Sequence, residues 1–185
     1  MNHVAIFLAD GFEEIEALTP VDVLRRANIK VSTISISDKL EVEGSHNIKV
    51  VADKFFEDVD YTNVTCLVLP GGLPGAEKLQ KHKALNQLLI NFAKEGKLIG
   101  AICAAPMILG TLGITDNKNT TCYPGFEKHL GKSNHSDELT IKDTNLLTGK
   151  AAGASMRFSL QLVEMLTDKA TANELADKMF VEGLK

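Results

Sequence analysis

The sequence predicts an α/β fold in which helices cover both faces of an open, mostly parallel sheet. Three short apolar runs, at residues 3–8, 65–69 and 98–102, lack the polar–apolar alternation of a half-exposed strand. Continuous apolar runs of this length are typical of strands buried on both faces, as in parallel sheets. Segments with helical periodicity separate these runs along the chain. Strands that alternate with helices favour this three-layer architecture.

Local signals support the individual elements. A helix over 13–27 begins with acidic residues, which the helix dipole favours in a first turn, and Thr19-Pro20 should kink or restart it. In a helix over 84–94, apolar residues at 85, 88, 89 and 92 share one face. Further helices are predicted over 74–80, 104–112, 154–166 and 172–180. Further strands are predicted over 31–36, 120–122, 139–141 and 146–147, with a hairpin formed by 40–43 and 48–51.

Composition restricts the class of protein. The 185 residues are expected to form one domain, residues 1–185, large enough to bury a substantial core. A formal net charge of −4 gives no electrostatic reason to expect nucleic acid or an anionic membrane as a partner. The first apolar run lacks a basic leader, and the run 98–110 is too short to span a membrane. Three scattered cysteines predict neither a disulfide framework nor a metal site, so a reducing cytoplasm is the expected compartment.

The most informative stretch is residues 97–113, in which Cys103 stands between a predicted strand and a predicted helix. A sharp strand-to-helix turn through one residue is the geometry of a nucleophile elbow, and the small Ala101 and Ala105 would permit the close approach it needs. A thiol at a helix N-terminus should have a lowered pKa. The alternative is a core cysteine at a strand end, and these residues alone leave both interpretations open.

A cysteine nucleophile needs an oxyanion site and a proton carrier. The Gly71-Gly72 loop follows a predicted strand and could turn N–H groups toward the thiol, with Ala104 N–H as another donor; the alternative is a simple tight turn. Acids at the start of the first helix, Glu13, Glu14 and Glu16, are candidate proton carriers, although acids there are usually solvated. Ligands of open parallel sheets bind beyond the carboxyl ends of strands, so these segments should converge.

The remaining histidines and cysteines give weaker signals. No histidine follows Cys103 directly, and all five histidines (His3, His46, His82, His129 and His135) are expected on the surface. Cys66, inside a predicted strand, is expected in the core. The position of Cys122 at a strand end near the same cleft leaves its role open.

Four blocks, in matching order and spacing, give the chain a family resemblance. They are residues 10–16 (DGFEEIE), 20–27 (PVDVLRRA), 69–72 with Gly75-Ala76 (LPGG), and 101–106 (AICAAP). The sequence resembles the ThiJ/PfpI family, in particular its parkinsonism-associated deglycase branch, over nearly the whole chain. The resemblance implies a flavodoxin-like three-layer sandwich and a homodimer.

The resemblance also implies roles for particular residues. Cys103 would be the nucleophile and Glu16 the acid hydrogen-bonded to it, while Gly72 and Ala104, beside Gly71, would supply the oxyanion amides. Tyr123 occupies the position where some members of the branch have histidine, and it is the remaining candidate for substrate binding. His46 stands where the animal proteins have a cleft arginine.

The resemblance favours a glyoxalase or deglycase that acts without cofactor or metal on methylglyoxal or on glycated adducts. Cys103 would attack the substrate and Glu16 would shuttle a proton. The first alternative is a redox-sensing stress protein or chaperone that acts through oxidation of Cys103. An amidase or peptidase is a further alternative, which Ala104 weakens because the protease-like members have histidine at that position.

Overall fold

The structure is a computed structural model that describes residues 2–182, and a seven-stranded sheet forms its centre. The strands of the chain are β1 (His3–Leu8), β2 (Lys30–Ser35), β3 (Glu41–Glu43), β4 (Lys49–Val51), β5 (Lys54–Phe55), β6 (Cys66–Leu69), β7 (Leu98–Ile102), β8 (Asn119–Thr120), β9 (Asn134–His135), β10 (Thr140–Asp143) and β11 (Leu146–Gly149). The helices are α1 (Glu14–Arg26), α2 (Gly75–Lys81), α3 (Lys83–Lys94), α4 (Pro106–Thr111), α5 (Ser155–Leu166) and α6 (Lys169–Lys178).

The central sheet has the order β10-β11-β7-β6-β1-β2-β5. All of its neighbouring strands pair in parallel except β10, which runs antiparallel to β11 at one edge. Two small sheets stand outside it: β3 and β4 form the predicted antiparallel hairpin, and β8 pairs in parallel with β9. The predicted mostly parallel α/β sheet is therefore confirmed.

Alternate side chains of the central strands pack into two separate hydrophobic cores, one on each face of the sheet. On one face, Val4, Ile6 and Val68 pack in a cluster with α1, α5 and α6. On the other face, Phe7 and Leu67 pack in a cluster with α2, α3 and α4. Because both faces are covered, the central strands β6 and β7 are apolar along their whole length, which is the pattern seen in the sequence. The predicted three-layer sandwich is confirmed.

Several element boundaries differ from the sequence prediction. The helix α1 runs through Pro20 without restarting, since its buried apolar face continues on both sides of the proline. The last helix begins at Lys169 rather than at residue 172, because Asp168 caps it by accepting the Thr171 N–H at 2.8 Å. The short strands β5 and β9 were not predicted; two residues are too few for a periodic signal.

The helix after the central strand is also shorter than predicted. It begins at Pro106 and ends at Thr111, so three residues in turn conformation separate it from β7. Within residues 2–182, no helix is both long and apolar enough to cross a membrane.

Candidate active site

The carboxyl ends of β1, β6 and β7 lie side by side at the centre of the sheet. The chain leaves β1 to form β2 on one side and later returns to form β6 on the other side, so β1 and β6 flank a topological switch point. Open α/β sheets bind ligands at such points. Glu16 follows β1, Gly71 and Gly72 follow β6, and Cys103 follows β7. The predicted convergence of these segments is therefore observed.

Cys103 occupies a strained backbone position at the end of β7. Its φ is 64°, in the left-handed region that residues other than glycine rarely adopt. Two hydrogen bonds hold this conformation: the Cys103 N–H donates to the Gly149 carbonyl and its carbonyl accepts the Tyr123 N–H, each at 2.8 Å. The small Ala101 and Ala105 are fully buried on either side. The strained turn at Cys103 is the predicted one, although three residues rather than one lie between β7 and the helix, and it leaves the thiol partly exposed.

Glu16 is a buried carboxyl group beside this thiol. Its residue is only 1% exposed, and Oε2 accepts the Gly71 N–H at 2.8 Å. Its other oxygen, Oε1, is buried and accepts no conventional hydrogen bond from the described residues. Burial raises the pKa of Glu16 from 4.5 to about 7, although interactions with the Cys103 thiol and the Gly71 N–H oppose the rise. The carboxyl group can therefore hold or release a proton near neutral pH.

The expected lowering of the thiol pKa is wrong for the resting site. Burial, followed by the negative charge of Glu16, raises the pKa of Cys103 to about 12, and the Ala104 and Gly72 N–H groups only partly oppose this. The helix α4 contributes little because it has six residues and begins three residues after the sulfur. Since the carboxylate itself suppresses thiol ionisation, the pair holds two protons below about pH 7 and shares one proton from there up to about pH 12.

Two amide groups and a glycine complete the surroundings of the sulfur. The N–H groups of Gly72 and Ala104 both interact with the sulfur and favour its charged form. A Cβ on Gly71 would lie 2.7 Å from both the Cys103 Cβ and Glu16 Oε2. The structure thus brings together five of the six residues that the family resemblance placed in the site: Glu16, Gly71, Gly72, Cys103 and Ala104.

The sequence suggested that the neighbouring acids Glu13 and Glu14 are solvated, but both make specific hydrogen bonds. Glu13 caps α1, since its Oε2 accepts the Glu16 N–H at 2.7 Å. Glu14 is buried and accepts bonds from the His46 N–H at 2.7 Å, the His46 Nδ1 at 2.8 Å and the Ser45 hydroxyl at 3.2 Å. Burial alone would raise its pKa, but these bonds, mainly that from the His46 ring, lower it to about 2. The hairpin turn therefore carries a hydrogen-bonding partner for α1.

The Glu14–His46 pair was not predicted because its partners are distant in sequence. The only local hint is Gly44: a Cβ there would collide with the Glu14 side chain. Tyr123, the predicted substrate-binding residue, has a half-exposed side chain, and its backbone holds the Cys103 carbonyl. Cys66 lies fully buried in β6, as expected. His3, expected on the surface, is buried, and its Nε2 pairs with the Ser32 hydroxyl at 2.9 Å.

Comparison with known proteins agrees with this site. Residues 2–165 match the sequence profile described as the DJ-1/PfpI family. The chain belongs to this family. Protein dj-1beta of Drosophila melanogaster is 34% identical over 179 residues, which are 95% of each chain. A Schizosaccharomyces pombe relative named glutathione-independent glyoxalase DJ-1 is 28% identical over 183 residues, covering 94% of this chain and 95% of that protein.

Other similarities bear on length and on the fold. Protein DJ-1 homolog B of Arabidopsis thaliana is 37% identical over 175 residues, which are 94% of this chain but only 40% of that protein, so this DJ-1/PfpI chain spans less than half of that relative. The oxidized structure of Toxoplasma gondii DJ-1 superposes with a TM-score of 0.94 at 31% identity, covering 99% of this chain and 100% of that chain. The flavodoxin-like fold of the family is therefore shared along the chain.

A methyl group at Gly71 should disrupt the site. In Gly71→Ala, Cys103 or Glu16 must move because both lie 2.7 Å from the new Cβ. Overpacking of this kind costs about 1–3 kcal/mol. We expect denaturant unfolding to show a loss of this size, and mass spectrometry after limiting iodoacetamide to show a changed rate of Cys103 labelling.

Gly153→Ala is the matched control, since nothing lies within 4 Å of a Cβ at Gly153 and its backbone needs no positive φ. This variant should keep both the unfolding midpoint and the labelling rate. If Gly71→Ala behaves like Gly153→Ala, the close packing of the loop against the thiol and the carboxyl group is wrong.

Glu16 should make stability fall as pH rises. Because its folded pKa is about 7 against an ordinary 4.5, its contribution is fully present below pH 4.5 and is lost as pH rises to 7. The shift corresponds to roughly 3 kcal/mol, and the sign is the same whichever member of the Cys103 pair holds the shared proton. The free energy of unfolding, compared between the wild type and Glu16→Gln across this range, should show the loss only in the wild type.

Glu14→Gln provides the opposite case. The folded pKa of Glu14 is about 2, so its contribution to the free energy of unfolding is present above pH 4.5 and disappears as pH falls toward 2.

Equal pH profiles for Glu16→Gln and the wild type between pH 4.5 and 7 would contradict the raised pKa of Glu16.

Proposed function

We propose that this chain is a cofactor-independent enzyme that converts small dicarbonyls, such as methylglyoxal, into hydroxy acids. The observation that carries the proposal is the buried carboxyl group of Glu16, with a pKa of about 7, beside the partly exposed thiol of Cys103. A group with a pKa near the working pH is suited to accept and then return a proton. The name of the Schizosaccharomyces pombe relative, a glutathione-independent glyoxalase, supports this choice.

In the first step, the sulfur of Cys103 would add to the aldehyde carbon of methylglyoxal. Ionised Glu16 takes the S–H proton of Cys103 as the sulfur–carbon bond forms and the carbonyl π electrons move to oxygen. Glu16 then gives this proton to that oxygen, which yields a hemithioacetal and leaves Glu16 ionised. The N–H groups of Gly72 and Ala104, which interact with the sulfur in the free site, are candidates to stabilise the developing negative oxygen. No metal is needed to polarise this carbonyl, because two fixed donors supply the positive potential.

In the second step, ionised Glu16 would remove the proton from the former aldehyde carbon and return it to the neighbouring carbon. The intermediate is an enediol, and its collapse gives a lactate thioester on Cys103. Water then hydrolyses the thioester, which releases lactate and the free thiol. Overall, one methylglyoxal and one water give one lactic acid. Oε1 of Glu16, buried without a conventional hydrogen-bond partner in the described chain, is the candidate atom for this transfer.

The same pair could act on glycated adducts. In a deglycase reaction, Glu16 would deliver its proton to the departing amine or thiol instead of to carbon. Formation of lactate from free methylglyoxal, in buffer without thiols or amines, would distinguish the glyoxalase reaction from the deglycase reaction. A peptidase role is not supported by the site, since none of the groups that shift the pKa of Cys103 is a histidine.

Replacement of either residue should remove lactate formation. We expect Cys103→Ser to abolish turnover and Glu16→Gln to lower kcat/KM by roughly 10²–10⁴-fold, the usual contribution of general acid–base catalysis. In the wild type, kcat/KM should rise as the pair loses its first proton near pH 7. The measurement is enzymatic determination of lactate from purified protein and methylglyoxal.

Glu77→Gln is the control, because Glu77 is also an acid in a first helical turn but is exposed on α2. It should retain the wild-type rate. Lactate production that survives in Cys103→Ser would exclude the proposed nucleophile.

The same pocket favours a second candidate function, the sensing of peroxide. Thiolate attack on peroxide gives a sulfenate and water, and a second peroxide gives a sulfinate, whose oxygens could accept the Gly72 and Ala104 N–H groups. A solved relative from Toxoplasma gondii is described as oxidized. The three free cysteines fit a reducing compartment such as the cytoplasm, in which such a sensor would act. Mass spectrometry after peroxide treatment should show two added oxygens on Cys103 before either other cysteine.

We also infer a homodimer formed through the start of α1 and the β3–β4 hairpin. Ile15, Ile48 and Val51 are 55%, 53% and 68% exposed, and Glu14 links the two segments through His46. Exposed large apolar side chains on two linked segments are typical of protein interfaces. Light scattering should give twice the chain mass for the wild type and the monomer mass for Val51→Glu. Leu139→Glu, which alters an exposed leucine elsewhere, should leave the mass unchanged; a wild-type monomer at micromolar concentration would refute the dimer.

A further inference from the structure

A second group of reactive side chains lies on the segment that follows β8. The Sγ of Cys122, a carboxylate oxygen of Glu127 and a ring nitrogen of His135 all lie within 4.8 Å of one another. Cys122 is fully buried, whereas Glu127 and His135 are exposed. The proposed reaction at Cys103 uses none of these three side chains.

Separate elements bring the three side chains together. The strands β8 and β9 pair with Thr120 opposite His135, and the Ser136 N–H donates to the Thr120 carbonyl at 2.9 Å. This pairing places His135 beside the chain that continues from Thr120 to Cys122. Glu127 begins a short 3₁₀ helix (Glu127–His129) after the intervening turn. Backbone hydrogen bonds therefore define the relative positions of all three.

The Glu127 carboxylate is already oriented toward the group. Both of its oxygens accept the Gly125 N–H, at 2.9 and 2.8 Å, and Gly125 adopts a φ of 95° that favours glycine. Partners outside the ligands orient carboxylates in this way in metal sites. The Cys122 sulfur makes no disulfide and no hydrogen bond within the described chain. The cluster thus combines an oriented carboxylate with an unused sulfur.

The chemistry of the three donors favours one class of ligand. Thiolate sulfur, imidazole nitrogen and carboxylate oxygen together suit a divalent metal of intermediate softness, above all Zn²⁺. Tetrahedral zinc holds sulfur and nitrogen ligands about 3.5 Å apart, as follows from its usual bond lengths. Because the separations are at most 4.8 Å, closing them to that value needs movement of at most about 1.3 Å, which the exposed Glu127 and His135 side chains can make.

We propose that Cys122, Glu127 and His135 bind one Zn²⁺ ion, with solvent in the fourth position. On binding, the Cys122 S–H bond breaks, its proton goes to solvent and the thiolate forms the bond to the metal. The sequence prediction of no metal site rested on cysteine spacing alone, so it did not consider a site with a single cysteine.

The charged neighbours of the cluster are compatible with a bound cation. Glu127 and His135 face Asp137, and the Asp137 carboxylate pairs with Lys150 Nζ at 3.1 Å. Lys150 is the nearby cation that acts on Cys122, and Asp137 offsets its charge. We expect Asp137→Asn to weaken binding only slightly, since Asp137 is not a ligand.

The test uses CoCl₂ and ZnCl₂ added to the full chain, with Cys103→Ser as the background so that the other partly exposed thiol cannot contribute. Co²⁺ should give a saturable thiolate-to-cobalt charge-transfer absorption with tetrahedral ligand-field bands, and Zn²⁺ should displace it. Cys122→Ser should abolish the charge-transfer absorption. His135→Ala should weaken binding by more than about 100-fold, beyond the ~10–100-fold effect of partners outside the ligands.

His129→Ala is the matched control, an exposed histidine on the same segment, and it should bind as tightly as the background protein. His46→Ala, which removes the histidine beside Glu13 and Glu14, should also have no effect. Absence of saturable absorption, its persistence in Cys122→Ser, or equal affinities for His135→Ala and His129→Ala would each overturn the proposal. Because His135 is exposed, its variant decides the question even if Cys122→Ser does not fold.

Discussion

The hydrogen bond from the Gly71 N–H to the Glu16 carboxyl group joins the ends of three strands into one site. It links the loop after β6 to the helix after β1, and Gly71 also packs against Cys103 at the end of β7. The bond lies in a buried place where the Gly71 N–H would be costly to leave without an acceptor. With this contact, burial and the neighbouring thiol set the proton affinity of Glu16. The chemistry of the pocket therefore depends on how closely two loops approach, which only a glycine permits.

Sequence patterns predicted the sheet, its layers and the elbow because each has a strong local signal. The apolar runs of β1, β6 and β7 are continuous, and Cys103 stands between small residues after the last of them. Family resemblance then selected Glu16 among three adjacent acids, a choice that periodicity could not make. The structure supplies the physical reason: Glu13 faces its own helix end, Glu14 faces the hairpin, and only Glu16 faces the thiol.

What the sequence could not predict depends on contacts between distant segments. The lowered thiol pKa was expected from a helix terminus, a local feature, whereas the actual shift comes from burial and from a carboxyl group on another element. The Glu14–His46 pair and the Cys122, Glu127 and His135 group likewise require the hairpin and the β8–β9 pairing to be in place. The hairpin itself was predicted but its side-chain contact with α1 was not, and the two-residue strand β9 is too short for periodicity to reveal.

The hydrogen bond from the Tyr123 N–H to the Cys103 carbonyl has a mechanical consequence. It attaches the nucleophile to the segment that carries Cys122 and leads to β9. Any event that stiffens or displaces that segment is transmitted through one amide to a residue whose backbone is already held in an unfavourable conformation. A movement of this segment can therefore change the backbone conformation of Cys103. Such a change would alter the position of the sulfur and its accessibility to small molecules.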